Sequence, residues 1–265
     1  KDEAVVGAYL NGFIFIIIGF LFQNLEKRKK FEKFLVFLFV IIAVSCMILT
    51  AERSNTIKLM IGLIIFFYFN DKIKLRQKLL FLTSMIIFFS IVVLTLFSDQ
   101  KKGNFKHKYF NDLIIKLTVK EKREKFIYFR LYESGFHVFK NHPIFGVGNK
   151  NYRIETCKSK TDENQTHYLC NTHPHQIYFE FLSEHGAFGT LILLTILLYL
   201  IFKNFKIMLL EKNMIQLGCF SFLITNFIPL LPGGSFFADF NANFFWLNMS
   251  LYYACNLKTN IFKKN

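Results

Sequence analysis

The sequence has no Gly-rich phosphate loop, no Ser-His-Asp order and no His-Glu-x-x-His pair. A nucleotide-binding cradle, a hydrolase triad and a zincin-type metalloprotease are therefore not indicated. The nearest approach to the first, Gly146-Val-Gly148, follows Pro143 and reads as a turn without the strand–helix context of a nucleotide site. Internal repeats, low-complexity tracts and an independent soluble domain are also missing. Acidic residues are scarce: 18 Asp and Glu face 33 Lys and Arg, a net charge of +15, in a 265-residue chain that is 53% hydrophobic. High charge and high hydrophobicity conflict in a soluble domain but agree in a membrane protein, because the charge falls between apolar blocks. A basic chain suggests nucleic acid, yet these lysines lie in short loops between spans, where the positive-inside rule accounts for them. No nucleic-acid partner is expected; membrane lipids are. The 36 Phe carry little weight, because abundant Phe, Lys, Ile and Asn together reflect a codon bias. An initiator Met and a signal peptide are absent, and the opening Lys-Asp-Glu-Ala-Val-Val-Gly leads us to expect a C-terminal fragment.

Apolar blocks of spanning or near-spanning length occur at about 5–25, 34–51, 56–70, 79–98, 187–203, 214–231 and 236–257. The expected fold is all-α, a polytopic helical bundle of about seven spans. Four spans fall in residues 1–98 and three in 187–265, on either side of a long polar segment, 99–186. Basic loops at 26–33, 70–78 and 203–213 and the basic tail alternate with the other connections, so one orientation satisfies them all. The basic loops are cytoplasmic, which puts 51–55, 99–186 and the Pro-Gly-Gly turn at 232–234 on the other side. The long segment is itself basic, from Lys101 to Lys125, but long loops escape the charge rule. Within it, Phe126, Phe129, Tyr132, Phe136 and Phe139 recur at helical spacing. They predict an amphipathic helix on the outer membrane face, its aromatic stripe serving packing or interfacial anchoring. Arg130 falls off that stripe.

All seven histidines, from His107 to His185, lie in the long segment. At 172–189 a polar stretch runs straight into a span. Thr172 or His173 can cap that helix, and Pro174 suits its first turn. His175 would then sit among free N–H groups, a position that attracts anions and disfavours a charged imidazole. Gly186 and Gly189 would share a helical face, where close helix contact is possible. Arg53, at the end of the second span, either snorkels beside Glu52 or grips a polyanion bidentately. Arg130 either pairs with neighbours such as Glu133 or serves the same anion. His173 and His175, with His142, His167, Asp162 and Glu163, include zinc-ligand types, but their spacing matches no closed zinc pattern. We expect no metal and no cofactor. Cys46, Cys219 and Cys255 lie in apolar runs, whereas Cys157 and Cys170 share a polar segment and can pair in an oxidising compartment.

Several of these stretches resemble a known family. His175-Gln176, nine residues, Gly186, two residues and Gly189 resemble the H-[NSQ]-x9-G-x-x-[GTY] signature of bacterial O-antigen ligases. O-antigen polymerases and some O-linked oligosaccharyltransferases carry similar segments. The stretch from Asn141 to Tyr152, with His142, Pro143, Gly146 and Gly148, resembles a second family segment, again preceded by an Arg-bearing helix. Thr50-Ala51-Glu52-Arg53-Ser54 resembles a T-x-S-R segment, with Glu52 in place of the usual small residue. Residues 2–10 also resemble a mid-chain stretch of the family.

The resemblance implies a C-type glycosyltransferase-like bundle in the bacterial inner membrane, multi-pass, with a periplasmic catalytic loop and further spans upstream. The donor would be a glycan on undecaprenyl diphosphate, and the acceptor a sugar hydroxyl of lipid A–core. Arg53 and Arg130 would hold the diphosphate, and His175 would act as general base in an inverting, metal-free transfer. Gln176, Gly186, Gly189, His173, His142, Pro143, Gly146 and Gly148 would be motif or supporting residues. An O-antigen polymerase is the nearest alternative. A non-catalytic transporter or scaffold for lipid-linked glycans is the alternative from a different class.

Overall fold

In the computed structural model the described residues are 6–80, 83–84, 87, 90, 126–158 and 167–261. Most of the span expected at 79–98, the basic run from Lys101 to Lys125, His107, Asp162, Glu163 and the stretch around Asp2 and Glu3 lie outside them. The described residues are helical, with no strand among them. Among the described residues the helices include α1 (Val6–Gln23), α2 (Lys30–Leu49), α3 (Arg53–Phe69), α4 (Ile127–Asn141), α5 (Tyr152–Cys157), α6 (Ile177–Lys203), α7 (Phe205–Glu211), α8 (Met214–Thr225) and α9 (Asp239–Ala254). They fall into two compact units, one drawn from 1–113, 203–226 and 244–265, the other from 114–202 and 227–243.

Three helical stretches among the described residues are long and apolar enough to cross a membrane: Val6–Gln23, Lys30–Leu49 and Ile177–Glu211. At about 1.5 Å per residue, a hydrocarbon core of about 30 Å needs roughly 20 residues. The blocks read at 56–70, 214–231 and 236–257 form the shorter helices α3, α8 and α9, of 17, 12 and 16 residues. The third of these blocks is shortened at its start and the second at its end by the same punctuation. Pro229 and Pro232 lack N–H groups and disfavour helix at the residue before each, so 226–238 runs as turns between α8 and α9.

In the first unit, Phe15, Ile18 and Phe22 of α1 are buried, as are Val40 and Met47 of α2, Leu59 and Phe66 of α3, and Leu217 and Leu223 of α8. α1 packs on α8 and α3. A Cβ at Gly218 would overlap the Phe15 carbonyl, so α1 and α8 approach backbone to backbone, the contact that small residues permit between membrane helices. Polar groups here bond across helices, as they must without water. Asn248 Nδ2 donates to the Gly12 carbonyl at 3.0 Å, and Asn11 Nδ2 to the Asn55 carbonyl at 3.0 Å.

The second unit is built on α4 and α6. α4 forms where the aromatic spacing predicts a helix, but its buried face is different. Leu131, Tyr132, Ser134, Gly135 and Val138 are buried, while Phe129 and Phe136 are exposed. The small residues Ser134 and Gly135 let other segments approach α4 closely. The Ser134 hydroxyl accepts from the buried Tyr152 hydroxyl at 2.7 Å and from the Leu169 N–H at 2.9 Å. Desolvation is the main reason the Tyr152 phenol titrates near 12 instead of 10. Cys157 and Cys170 form a disulfide with a Cα–Cα distance of 4.5 Å, joining α5 to the stretch before His173.

Candidate functional site

The histidine segment lies against α4 because Gly135 leaves room for it. A Cβ at Gly135 would be 3.0 Å from Pro174 Cβ and 3.1 Å from Phe179 Cβ. His175 is not in the first turn of α6. The helix starts at Ile177, and the capping group is the side chain of Gln176, whose Oε1 accepts from the N–H groups of Tyr178 at 2.8 Å and Phe179 at 3.0 Å. Thr172 and His173 are therefore not the caps, and Pro174 precedes the helix instead of entering it. Gln176 wins because its amide reaches two residues ahead onto orphan donors, while the backbone at His175 turns left-handed (φ 58°). That conformation costs a non-glycine residue about 1–2 kcal/mol. The His175 carbonyl accepts from the Gly233 N–H at 2.9 Å, which holds the turn in place.

Around His175 the surroundings are aromatic and close. Its ring centroid lies 4.0 Å from that of His173 and 5.9 Å, edge-on, from Tyr128 of α4. His173 is buried, with one ring nitrogen 3.0 Å from the Thr172 hydroxyl and the other 3.4 Å from the Gly233 carbonyl. Burial, reinforced by the neighbouring His175, pushes the His173 pKa down to about 4. His173 is thus neutral near pH 7 and adds no positive charge beside His175. The Pro232-Gly233-Gly234 turn thus packs against the histidine segment through the contacts of Gly233 with His173 and His175.

The turn is fastened from α6 as well. Glu180, 1% exposed, accepts from the Ser235 hydroxyl in a short hydrogen bond and from the Phe236 N–H at 2.9 Å. One helical turn on, the buried Glu184 accepts from the Lys150 N–H at 2.9 Å. These two carboxylates, four apart on one face, each organise a loop by receiving its donors. They are not in the set of site residues read from the sequence, although two acids at that spacing on an apolar helix are a legible signal.

Gly186 does more than permit helix contact. Its φ of 63° and ψ of −172° break the helical path of α6, a region that is essentially glycine-only. The kink frees the Ser183 and Glu184 carbonyls, which accept from Val147 N–H at 3.0 Å and Gly148 N–H at 2.8 Å. In return, Ala187 and Phe188 donate to the carbonyls of Pro143 at 2.8 Å and Ile144 at 3.2 Å. A Cβ at Gly186 would overlap the Ile144 carbonyl, and one at Gly146 (φ 67°) would overlap Glu184 backbone. The two glycine-bearing stretches are thus two halves of one junction. Gly189 lies in the helix beyond it, where an added Cβ would be 2.7 Å from His185 Cβ. His142 closes α4, its backbone N–H bonding to Val138 and Phe139 carbonyls, and its ring Nε2 lies 3.5 Å from Glu155 Oε1.

Arg130 is on α4 and exposed, two residues from Tyr128. Arg53 is in the other unit, at the start of α3. The suggested pairing of Arg53 with Glu52 does not occur: the Glu52 carboxylate accepts from the Gly7 N–H at 2.9 Å and Asn55 Nδ2 at 2.7 Å. Arg53 Nη1 is buried and has no hydrogen-bond partner among the described residues, which is costly for a guanidinium. The only three-residue group among the described residues that could hold a metal is Glu133, His137 and His167. It includes neither His173 nor His175.

The O-antigen ligase family pattern matches residues 37–194. The chain belongs to the O-antigen ligase family. No curated protein and no solved structure matches it. As an O-antigen ligase family member it is a membrane protein of the ligase- or polymerase-like glycosyltransferase type, whose substrates in general are lipid-linked glycans. The matched range of this O-antigen ligase family chain contains Arg53, Arg130, the Pro143–Gly148 turn, the histidine segment and the Gly186 kink.

Proposed function

We propose that this chain transfers a glycan from undecaprenyl diphosphate to a sugar hydroxyl of lipid A–core, as an O-antigen ligase, at the periplasmic face of the inner membrane. The observation that carries this reading is His175 itself. It is a histidine in a left-handed backbone turn, held by Gly233 and set against α4, in a chain of this family. Strained, over-determined residues of this kind cluster at functional sites.

The reaction needs a base, a charge sink and a protected acceptor. His175 takes the proton of the attacking hydroxyl, whose oxygen bonds to the anomeric carbon as the bond to the diphosphate oxygen breaks on the opposite face. Inversion follows from that geometry. A neutral imidazole is suited to the task near pH 7, and a neutral His173 alongside favours it. The leaving diphosphate gains charge, which Arg130 and Arg53 neutralise with forked donors. The chemistry at the reacting carbon uses no metal.

Deletion of the gene tests the reading in a cell. A ligase predicts bare lipid A–core with lipid-linked polymer accumulating. Single repeats attached to the core would instead make this chain a polymerase. Neither pattern would exclude both; a transporter or scaffold predicts instead that His175→Ala leaves glycan transfer unchanged.

A further inference from the structure

A second cluster lies on α4 and includes none of the residues assigned to the transfer chemistry. Glu133 and His137 are four apart on the helix, so their side chains share a face. His167 comes to them from the stretch that leads into the histidine segment. That stretch is held firmly. Tyr168 is buried and accepts through its hydroxyl from Asn141 Nδ2 at 2.6 Å, Leu169 N–H bonds Ser134, and Cys170 is tied to Cys157. The His137 and His167 rings stack with centroids 4.1 Å apart and planes within 8°. His167 Nδ1 is 3.3 Å from Glu133 Oε1.

One ligand atom from each of the three lies within 4.8 Å of the other two. Zinc held at 2.0–2.1 Å by nitrogen and oxygen in a tetrahedron sets its ligand atoms about 3.4 Å apart. The remaining gap closes by side-chain rotation, since Glu133 is exposed and neither ring is fully buried. Two imidazoles and one carboxylate suit a zinc-class ion over magnesium or calcium, which favour all-oxygen sites. The nearby Lys140 amine opposes a cation, but it sits over the Phe136 ring at 4.9 Å from the centroid.

We propose that Glu133, His137 and His167 bind one zinc-class divalent cation, leaving one position open to water or an anionic oxygen. The ion clamps the Tyr168–Cys170 stretch to α4, and through it steadies the segment that carries His175. The proposal is independent of which glycan reaction the chain performs. In the absence of an ion the same residues make a plain histidine–glutamate pair, and that is the competing account.

The test is zinc binding by the full chain, purified in detergent and stripped with chelator. Zinc affinity is read by competition with a chromophoric chelator, and ligand type by the visible spectrum of bound cobalt(II). Wild type should bind one equivalent at micromolar zinc with a tetrahedral cobalt spectrum. His137→Gln, His167→Gln and Glu133→Gln should each weaken binding by at least about tenfold, since even losing a residue that only supports a ligand costs that much. His142→Gln and His173→Gln should leave affinity unchanged. All three ligand variants are at least partly exposed, so their metal-free melting curves should match wild type. Glu133→Asp, which keeps the charge and shortens the reach, should lie between. Absence of binding at micromolar zinc, or equal affinity in His137→Gln and wild type, would overturn the proposal in favour of the plain pair.

Discussion

Replacing Gly186 with alanine tests the junction that supports the histidine segment. At φ 63° and ψ −172° an alanine costs about 1–3 kcal/mol in backbone strain alone. Its Cβ would also overlap the Ile144 carbonyl, a backbone atom that cannot rotate away. The 143–148 turn must then withdraw from α6, loosening the backbone hydrogen bonds of Val147, Gly148, Ala187 and Phe188, each worth about 1 kcal/mol. A total of about 4 kcal/mol is expected, because part of the turn will relax rather than detach. For a chain of this size that lowers the melting temperature by roughly 10 °C. Gly146→Ala strains the same junction from the other side, since its Cβ would overlap Glu184 backbone. The double variant should therefore cost clearly less than the two singles combined, with coupling above about 1 kcal/mol. The assay is thermal unfolding of the detergent-solubilised protein, followed by circular dichroism for all four members of the cycle. A melting temperature for Gly186→Ala within about 2 °C of wild type, or simple additivity in the double, would refute the junction.

Two further outcomes follow from the buried polar groups. Glu180→Ala leaves the Ser235 hydroxyl and Phe236 N–H without their acceptor; it should cost about 1–3 kcal/mol and expose the 231–238 loop to protease, whereas Glu180→Gln, which keeps one acceptor oxygen, should cost less. Equal protease resistance in wild type and Glu180→Ala would show that the carboxylate does not hold the loop. His173 is depressed from 6.5 to about 4 in the folded protein, so between those values the unfolded chain binds the extra proton and the folded one does not. Stability therefore falls as pH drops from about 6.5 to about 4, by about 3 kcal/mol in all, and is flat with respect to this group above and below that window. His173→Gln should flatten the curve in that window; an unchanged pH profile in the variant would contradict the burial assigned to His173.

What was legible in the sequence was mostly local. Apolar blocks gave helices, and the aromatic spacing at 126–139 gave α4. The histidine-bearing stretch that leads into α6 could be found because its residue types are unusual for an entry into a span. What escaped depends on contacts between segments distant in sequence. The face that α4 buries is set by Ser134 and Gly135, which meet Tyr152, Leu169 and Pro174, partners no periodicity reveals. Gln176 displaced Thr172 and His173 as the cap because the left-handed turn at His175 shifts the helix start, and that turn depends on Gly233, 58 positions after His175. Gly186 was noticed as a small residue, but its role comes from a backbone angle and from the turn at 143–148 that receives the freed carbonyls. Glu180 and Glu184 were passed over because acids near an apolar run look like solvated ends, whereas here both are buried and fully engaged.

The central claim is that His175 is the base for glycan transfer from a lipid diphosphate. Transfer from purified undecaprenyl-diphosphate glycan to lipid A–core, catalysed by the reconstituted full-length protein, measures it directly. Wild type should transfer, and His175→Ala should lose at least about a hundredfold in rate, the usual contribution of a general base, while its melting temperature stays close to that of wild type. A folded His175→Ala variant that transfers at the wild-type rate would contradict the account.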